Sequence, residues 1–212
     1  MIVIVDYQKG NIKSVERGLA SAGADVRVTP AADGIREADG IVLPGVGAFA
    51  DAMATLEETG QADAIRAAVA AGVPFLGICL GMHLMYEAGE EHAEGAPTPG
   101  LGLLPGVVGR MPAQDVEGRA YKVPHVGWNT VHVTDAGAQG LFAGIPQDEY
   151  FYFTHSYVAP EGEATCGRTA HSVTFPSACA RGRAFGVQFH PEKSSDAGAA
   201  LLANFVRLTK ER

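Results

Sequence analysis

No uninterrupted apolar stretch in the sequence approaches the roughly 18 residues that a membrane-crossing helix requires. The opening Met1-Ile-Val-Ile-Val-Asp6 carries no basic leader, and its apolar run is too short for a secretion signal. A soluble, cytoplasmic protein with no membrane partner is therefore expected. Positive charge is also scarce: 16 Lys and Arg face 24 Asp and Glu, for a net charge of −8 and a pI near 5.3. With no basic run either, no nucleic-acid partner is expected. Cysteine is rarer still. Cys79, Cys166 and Cys179 are odd in number and widely spaced, which fits neither a disulfide framework nor a zinc pattern. Cys166 and Cys179 lie in β-like, apolar surroundings and read as small buried hydrophobes. None of the seven histidines belongs to a His-x-x-x-His or Cys-x-x-Cys constellation, so no metal and no cofactor are expected. What is present is ordinary globular composition, 47% apolar and 19% charged over 212 residues. That length is ample for one domain and short for two, so a single domain over residues 1–212 is expected.

The first half alternates strand and helix. Ile2–Asp6 is a short apolar run of the kind buried on both faces of a sheet. From Asn11 the apolar residues Ile12, Val15, Leu19 and Ala22 recur at helical spacing, with Gly23 as a stop. Strands are predicted at Val26–Val28, Ile41–Leu43 and Pro74–Ile78, and helices at Gln61–Ala71 and Leu80–Glu87. Residues 90–106 read as a Gly- and Pro-rich loop. Strands follow within Tyr121–Val133, Tyr150–Val158, Ala164–Ala170, Ala178–Ala180 and Ala184–Phe189, then a helix at Ser195–Lys210. The implied fold is α/β, a three-layer sandwich. Its central sheet is mostly parallel and flanked by helices, with an antiparallel β addition in the second half.

Three segments carry chemistry. In Leu76-Gly-Ile-Cys-Leu-Gly-Met82 a strand turns abruptly into a helix with a thiol at the bend and glycines on both sides. A sharp bend projects its corner side chain at the carboxyl edge of the sheet, and a following helix N-terminus favours a thiolate. The competing reading is a core cysteine closing a strand. Far downstream, Gly186-Val-Gln-Phe-His-Pro-Glu192 offers an imidazole and a carboxylate. Pro191 keeps His190 out of the helical region, and an extended chain would point His190 and Glu192 to the same side. Nucleophile, base and orienting group would then be Cys79, His190 and Glu192; alternatively His190 ends a strand beside an unrelated glutamate. The third segment, Leu43-Pro-Gly-Val-Gly47, could turn the N–H of Val46 outward to form, with the N–H of Leu80, a two-donor oxyanion hole. It could equally be an ordinary Pro-Gly turn.

These strings resemble the class I glutamine amidotransferases, whose signatures are Gly-x-Cys-x-Gly and a late His-Pro-Glu. The resemblance runs end to end and sharpens to the glutaminase subunits of imidazole glycerol phosphate synthases, in histidine biosynthesis. Pro44-Gly-Val-Gly-Ala-Phe49, Lys122-Val-Pro-His-Val-Gly-Trp-Asn129, Phe151-Tyr-Phe-Thr-His-Ser-Tyr157 and Gln188-Phe-His-Pro-Glu-Lys-Ser194 carry it. The resemblance implies attack of Cys79 on the side-chain amide of glutamine, with His190 moving protons and Glu192 holding the imidazole. It also implies an oxyanion held by Val46 and Leu80, and glutamine contacts from Gly47, Ser156 and Tyr157. The ammonia would pass to a (β/α)8-barrel cyclase subunit, in a 1:1 heterodimer, which makes imidazole glycerol phosphate and aminoimidazole carboxamide ribotide. His83 departs from the pattern, because that substrate-binding position usually carries glutamine; retained activity with altered glutamine affinity is expected. Lys193, Trp128 and Asn11 are expected at the partner interface, with core filling the competing role for Trp128 and helix capping for Asn11. The alternatives are a glutaminase serving another pathway, such as pyridoxal phosphate synthesis, and a non-catalytic scaffold on the same fold. A scaffold should have lost a member of the triad, and none is lost.

Overall fold

Strand β1 (Ile2–Val5) is buried along its whole length, as four consecutive apolar residues require when both faces of a strand are covered. A computed structural model describes residues 1–134, 137 and 140–211. In it β1 pairs in parallel with β2 (Val26–Thr29) and β3 (Gly40–Gly45). Strand β3 pairs with β4 (Phe75–Cys79), and β4 with β13 (Ala184–Val187), again in parallel. From β13 the sheet continues antiparallel through β12 (Thr174–Arg181), β11 (Thr165–Ala170), β8 (His125–Val133) and β9 (Glu149–His155). A second sheet runs β10 (Tyr157–Val158), β7 (Leu104–Arg110), β5 (Tyr86–Gly89) and β6 (Thr98–Pro99).

Alternate strand residues enter different cores. Val3, Val5, Ile41 and Leu43 pack on one side with α3 (Phe49–Glu58) and α4 (Gln61–Ala70), through Met53, Leu56 and Ile65. Ile2, Ile4, Val42 and Leu76 pack on the other with α1 (Ile12–Ser21) and α6 (Ser195–Lys210), through Val15, Leu19, Leu201, Leu202 and Phe205. A sheet with apolar residues on both faces needs a helical layer on each, which gives the expected three-layer α/β sandwich. The helix α2 (Ala32–Arg36) leads into β3.

Parallel pairing decides where the site forms. Val187 lies opposite Ile78, and Gly45 opposite Cys79. The carboxyl ends of β3, β4 and β13 therefore coincide at one sheet edge, the place where open α/β sheets bind ligands. The antiparallel strands occupy most of the chain between β4 and β13, which is why residues so far apart in sequence meet here.

Two local expectations are corrected. The helix predicted over Leu80–Glu87 is a single turn, α5 (Leu80–His83), followed by β5. The carbonyls of Leu84, Met85 and Tyr86 accept bonds from the N–H groups of Leu101, Leu103, Leu104 and Gly102 instead of from the next turn, so the chain leaves helical conformation. One turn carries little of the dipole invoked for the thiol. His190-Pro-Glu192 is likewise not extended throughout: His190 is (φ −102°, ψ 95°), but Pro191–Lys193 forms a 3-10 turn.

Candidate active site

Cys79 ends β4 at φ +54°, ψ −109°, a conformation that costs a non-glycine residue free energy and persists only when its surroundings enforce it. They do so through two glycines. A Cβ on Gly77 would lie 2.5 Å from the carbonyl oxygen of Gly81, and one on Gly81 would collide with the carbonyl of Leu43. Only glycine lets α5 fold back tightly against β3 and β4.

His190 and Glu192 stand side by side next to the thiol of Cys79. His190 Nδ1 lies 3.0 Å from Glu192 Oε1, with the two side chains 2% and 1% exposed. Burial pulls the imidazole pKa down, but Cys79 and Glu192 outweigh it and raise it to about 9. His190 Nε2 and Glu192 Oε2 are buried with no hydrogen-bond partner among the described residues. The backbone N–H of His190 donates to Tyr152 O at 2.9 Å, tying His190 to β9. The Cys79 sulfur is 3.8 Å from Thr154 O and 3.9 Å from Gln188 Nε2.

A cavity of about 440 Å³ opens over the thiol, enough for a free amino acid. Its lining brings together Val46, Gly47, Cys79, Leu80, His83, Ser156 and Tyr157, which are all the expected nucleophile, oxyanion and substrate positions. Gly47 has φ +104°, so the turn after β3 uses a conformation that glycine adopts without strain. His83 is buried, its Nε2 is 2.7 Å from Gln188 Oε1, and burial lowers its pKa to about 4 against the opposing effect of that bond.

Several groups had no sequence signal. Among the described residues Glu91 is the only carboxylate lining the cavity; burial raises its pKa, and its carboxylate accepts the N–H of Phe49. Tyr7 is buried, its hydroxyl without a hydrogen-bond partner among the described residues and packed where a side chain on Gly45 would fall, and burial and Cys79 together keep it protonated. A relay reaches the cavity wall at His155: Asn129 Nδ2 donates to His125 Nε2 at 3.2 Å, His125 Nδ1 meets His155 Nε2 at 3.0 Å, and His155 Nδ1 donates to Tyr157 O at 2.9 Å. That chain fixes the tautomers: each imidazole carries its proton on Nδ1 and accepts on Nε2. Burial, followed by the neighbouring His171 imidazole, lowers the His125 pKa to about 4; burial lowers that of His155 to about 3 despite its bond to Tyr157.

Of the expected interface residues, Trp128 is 53% exposed on β8, ruling out core filling, and stands edge-on to Tyr152. Lys193 Nζ lies 5.8 Å from the Tyr152 ring centre. Asn11 precedes α1 but its side chain makes no capping hydrogen bond. Val126 and Tyr150 extend the exposed apolar face.

The sequence signature described as "Glutamine amidotransferase class-I" matches residues 3–208. The chain belongs to this family. It is 47% identical over 213 residues to the "Imidazole glycerol phosphate synthase subunit HisH" of Desulfitobacterium hafniense (strain Y51), covering 100% of this chain and 96% of that protein. It is 48% identical over 211 residues to the protein of the same description from Moorella thermoacetica, covering 99% and 95%. Within the family the chain groups with these subunits. A "Crystal structure of glutamine amidotransferase" superposes with TM-score 0.73 at 20% identity, over 99% of this chain and 98% of that one. "Structure of PurLQS from Thermotoga maritima" gives 0.71 at 18%, over 98% and 97%. At such identities these two likenesses establish the fold. Among the described residues no helix is long and apolar enough to cross a membrane.

Proposed function

We propose that this chain is the glutaminase subunit of an imidazole glycerol phosphate synthase. It hydrolyses glutamine to glutamate and ammonia and delivers the ammonia to a cyclase subunit in histidine biosynthesis. The observation that carries the reading is the convergence of β3, β4 and β13 at one edge, with Cys79, His190 and Glu192 under a cavity of amino-acid size.

In this reading the Cys79 proton passes to His190 Nε2, and the sulfur attacks the carboxamide carbon of glutamine. The tetrahedral oxyanion is received by the N–H groups of Val46 and Leu80. As the C–N bond breaks, His190 returns the proton to nitrogen and ammonia leaves. Water then attacks the thioester with His190 as base, releasing glutamate and restoring the thiol. Glu192 fixes the imidazole and stabilises its cationic form. Gly47, His83, Ser156 and Tyr157 surround the substrate, and Glu91 supplies the negative charge that an α-ammonium group needs.

The partner in this reading is a (β/α)8-barrel cyclase bound 1:1. Its docking face is the surface of exposed Trp128 and Tyr150, half-buried Tyr152 and Lys193, joined by Asn11; large aromatics are enriched among interface anchors. Strand β9 carries Tyr150 and Tyr152 outward and also Thr154, whose carbonyl is near the thiol. Docking on that strand is thus one step from the nucleophile. Co-purification with the cyclase, followed by glutaminase assay with and without the cyclase's ligand, tests the reading. Faster turnover in the liganded complex is expected; equal turnover by the lone chain would contradict the coupling.

A further inference from the structure

Gln188 follows β13 and precedes the catalytic histidine by two residues. Its side chain is fully buried, and its backbone N–H is anchored to Ser177 O at 2.9 Å. A buried primary amide must satisfy both ends. Here Oε1 is 2.7 Å from His83 Nε2, and Nε2 points at the Cys79 sulfur from 3.9 Å, near the outer limit for an N–H···S contact.

We propose that Gln188 donates a hydrogen bond to the Cys79 sulfur as it becomes a thiolate, and that His83 is the positioning residue that holds the amide in the donating orientation. The proposal rests on Cys79 being the glutaminase nucleophile. The neutral thiol can donate to Thr154 O, 3.8 Å away, while accepting from Gln188. Once the proton has moved to His190, the Thr154 carbonyl has nothing to accept, and the Gln188 N–H remains as a donor to the negative sulfur. Charge shortens and strengthens such bonds. The reversed amide would turn its carbonyl toward the thiolate. A proton on His83 Nε2 prevents that reversal, because Gln188 must then present its oxygen to His83. Burial keeps His83 neutral, so it holds one proton and one orientation. Of the other titratable groups around the sulfur, His190 is held by Glu192 through Nδ1 and takes the thiol proton on Nε2, and the Tyr7 hydroxyl has no hydrogen-bond partner among the described residues.

The test is the rate of Cys79 alkylation by iodoacetamide in the full chain, measured from neutral to alkaline pH without glutamine. Gln188→Met keeps the volume and removes the donor. It should alkylate about tenfold more slowly at neutral pH, the low end of what a hydrogen bond to a charged group contributes, with the gap closing as pH rises. His83→Phe should behave similarly, and His83→Gln, which can again donate to Gln188, should restore the rate. If Gln188→Met does not fold, the two His83 variants carry the comparison. Parental rates in Gln188→Met and His83→Phe, or a gap independent of pH, would overturn the proposal. Failure of the parent chain itself to alkylate at Cys79 would instead strike at the glutaminase reading.

Discussion

Replacing Glu192 by glutamine should separate catalysis from stability. Among the described residues the carboxylate has one hydrogen-bond partner, His190 Nδ1 at 3.0 Å, and its second oxygen is buried without one. Such a desolvated charge costs the folded state several kcal/mol that a single partner only partly returns. Glutamine removes the charge and can still accept through its oxygen, but it leaves an amide N–H unsatisfied at a cost of about 1–3 kcal/mol. The two effects oppose, so the melting temperature should shift by only a few degrees. Catalysis has no such compensation. The bond to a cationic imidazole is worth about 1.5–3 kcal/mol, which predicts a kcat roughly 10- to 100-fold lower in the assembled complex, with KM little changed because Glu192 does not line the cavity. A pH signature accompanies it. The His190 pKa is raised above 6.5 to about 9 in the folded chain, so its contribution is complete below 6.5 and is lost as pH rises through about 9. Removing Glu192 should shrink that alkaline loss and move it to lower pH. A kcat within threefold of the parent, or a loss explained wholly by unfolding, would refute the reasoning.

Acid should destabilise the fold earlier than its carboxylates require. His83, His125 and His155 have folded pKa values near 4, 4 and 3, all below the ordinary 6.5, with burial the leading cause. Their contribution is complete above 6.5 and drains as pH falls toward 4, because the unfolded chain binds protons that the folded one refuses. Melting curves should fall across that window and flatten in a His125→Gln, His155→Gln double variant; a flat parental profile contradicts this. Trp128→Ala should weaken binding to the cyclase by about 2 kcal/mol, roughly 30-fold. It should leave the melting temperature nearly unchanged, because the indole is half exposed. Titration calorimetry giving parental affinity would remove Trp128 from the interface.

The placement of Cys79, of His190 and of the turn at Gly45-Val46-Gly47 was legible because each depends on a local conformation: a bend needing Gly77 and Gly81, a proline after His190, a glycine at 47 with positive φ. The helices α1, α4 and α6 showed through their apolar spacing. Helix α3 did not, since Ala-rich turns after a Pro-Gly segment carry little contrast. Residues 84–89 misled because Leu84, Met85 and Tyr86 are buried whether helical or extended; what decides is the capture of their carbonyls by residues 101–104, a non-local event. The same holds for the His83–Gln188 contact, the histidine relay and Glu91. Each depends on partners that the folded sheet brings together, and no spacing along the chain encodes them.

In the proposed reaction Cys79 attacks glutamine with His190 as its base. Incubating the chain with a glutamine-like electrophile and locating the adduct by mass analysis tests it most directly. One equivalent on Cys79, blocked by excess glutamine and strongly slowed in His190→Ala, is the predicted result. Continued glutamine hydrolysis with Cys79 unmodified, or with Cys79 replaced by alanine, would contradict it.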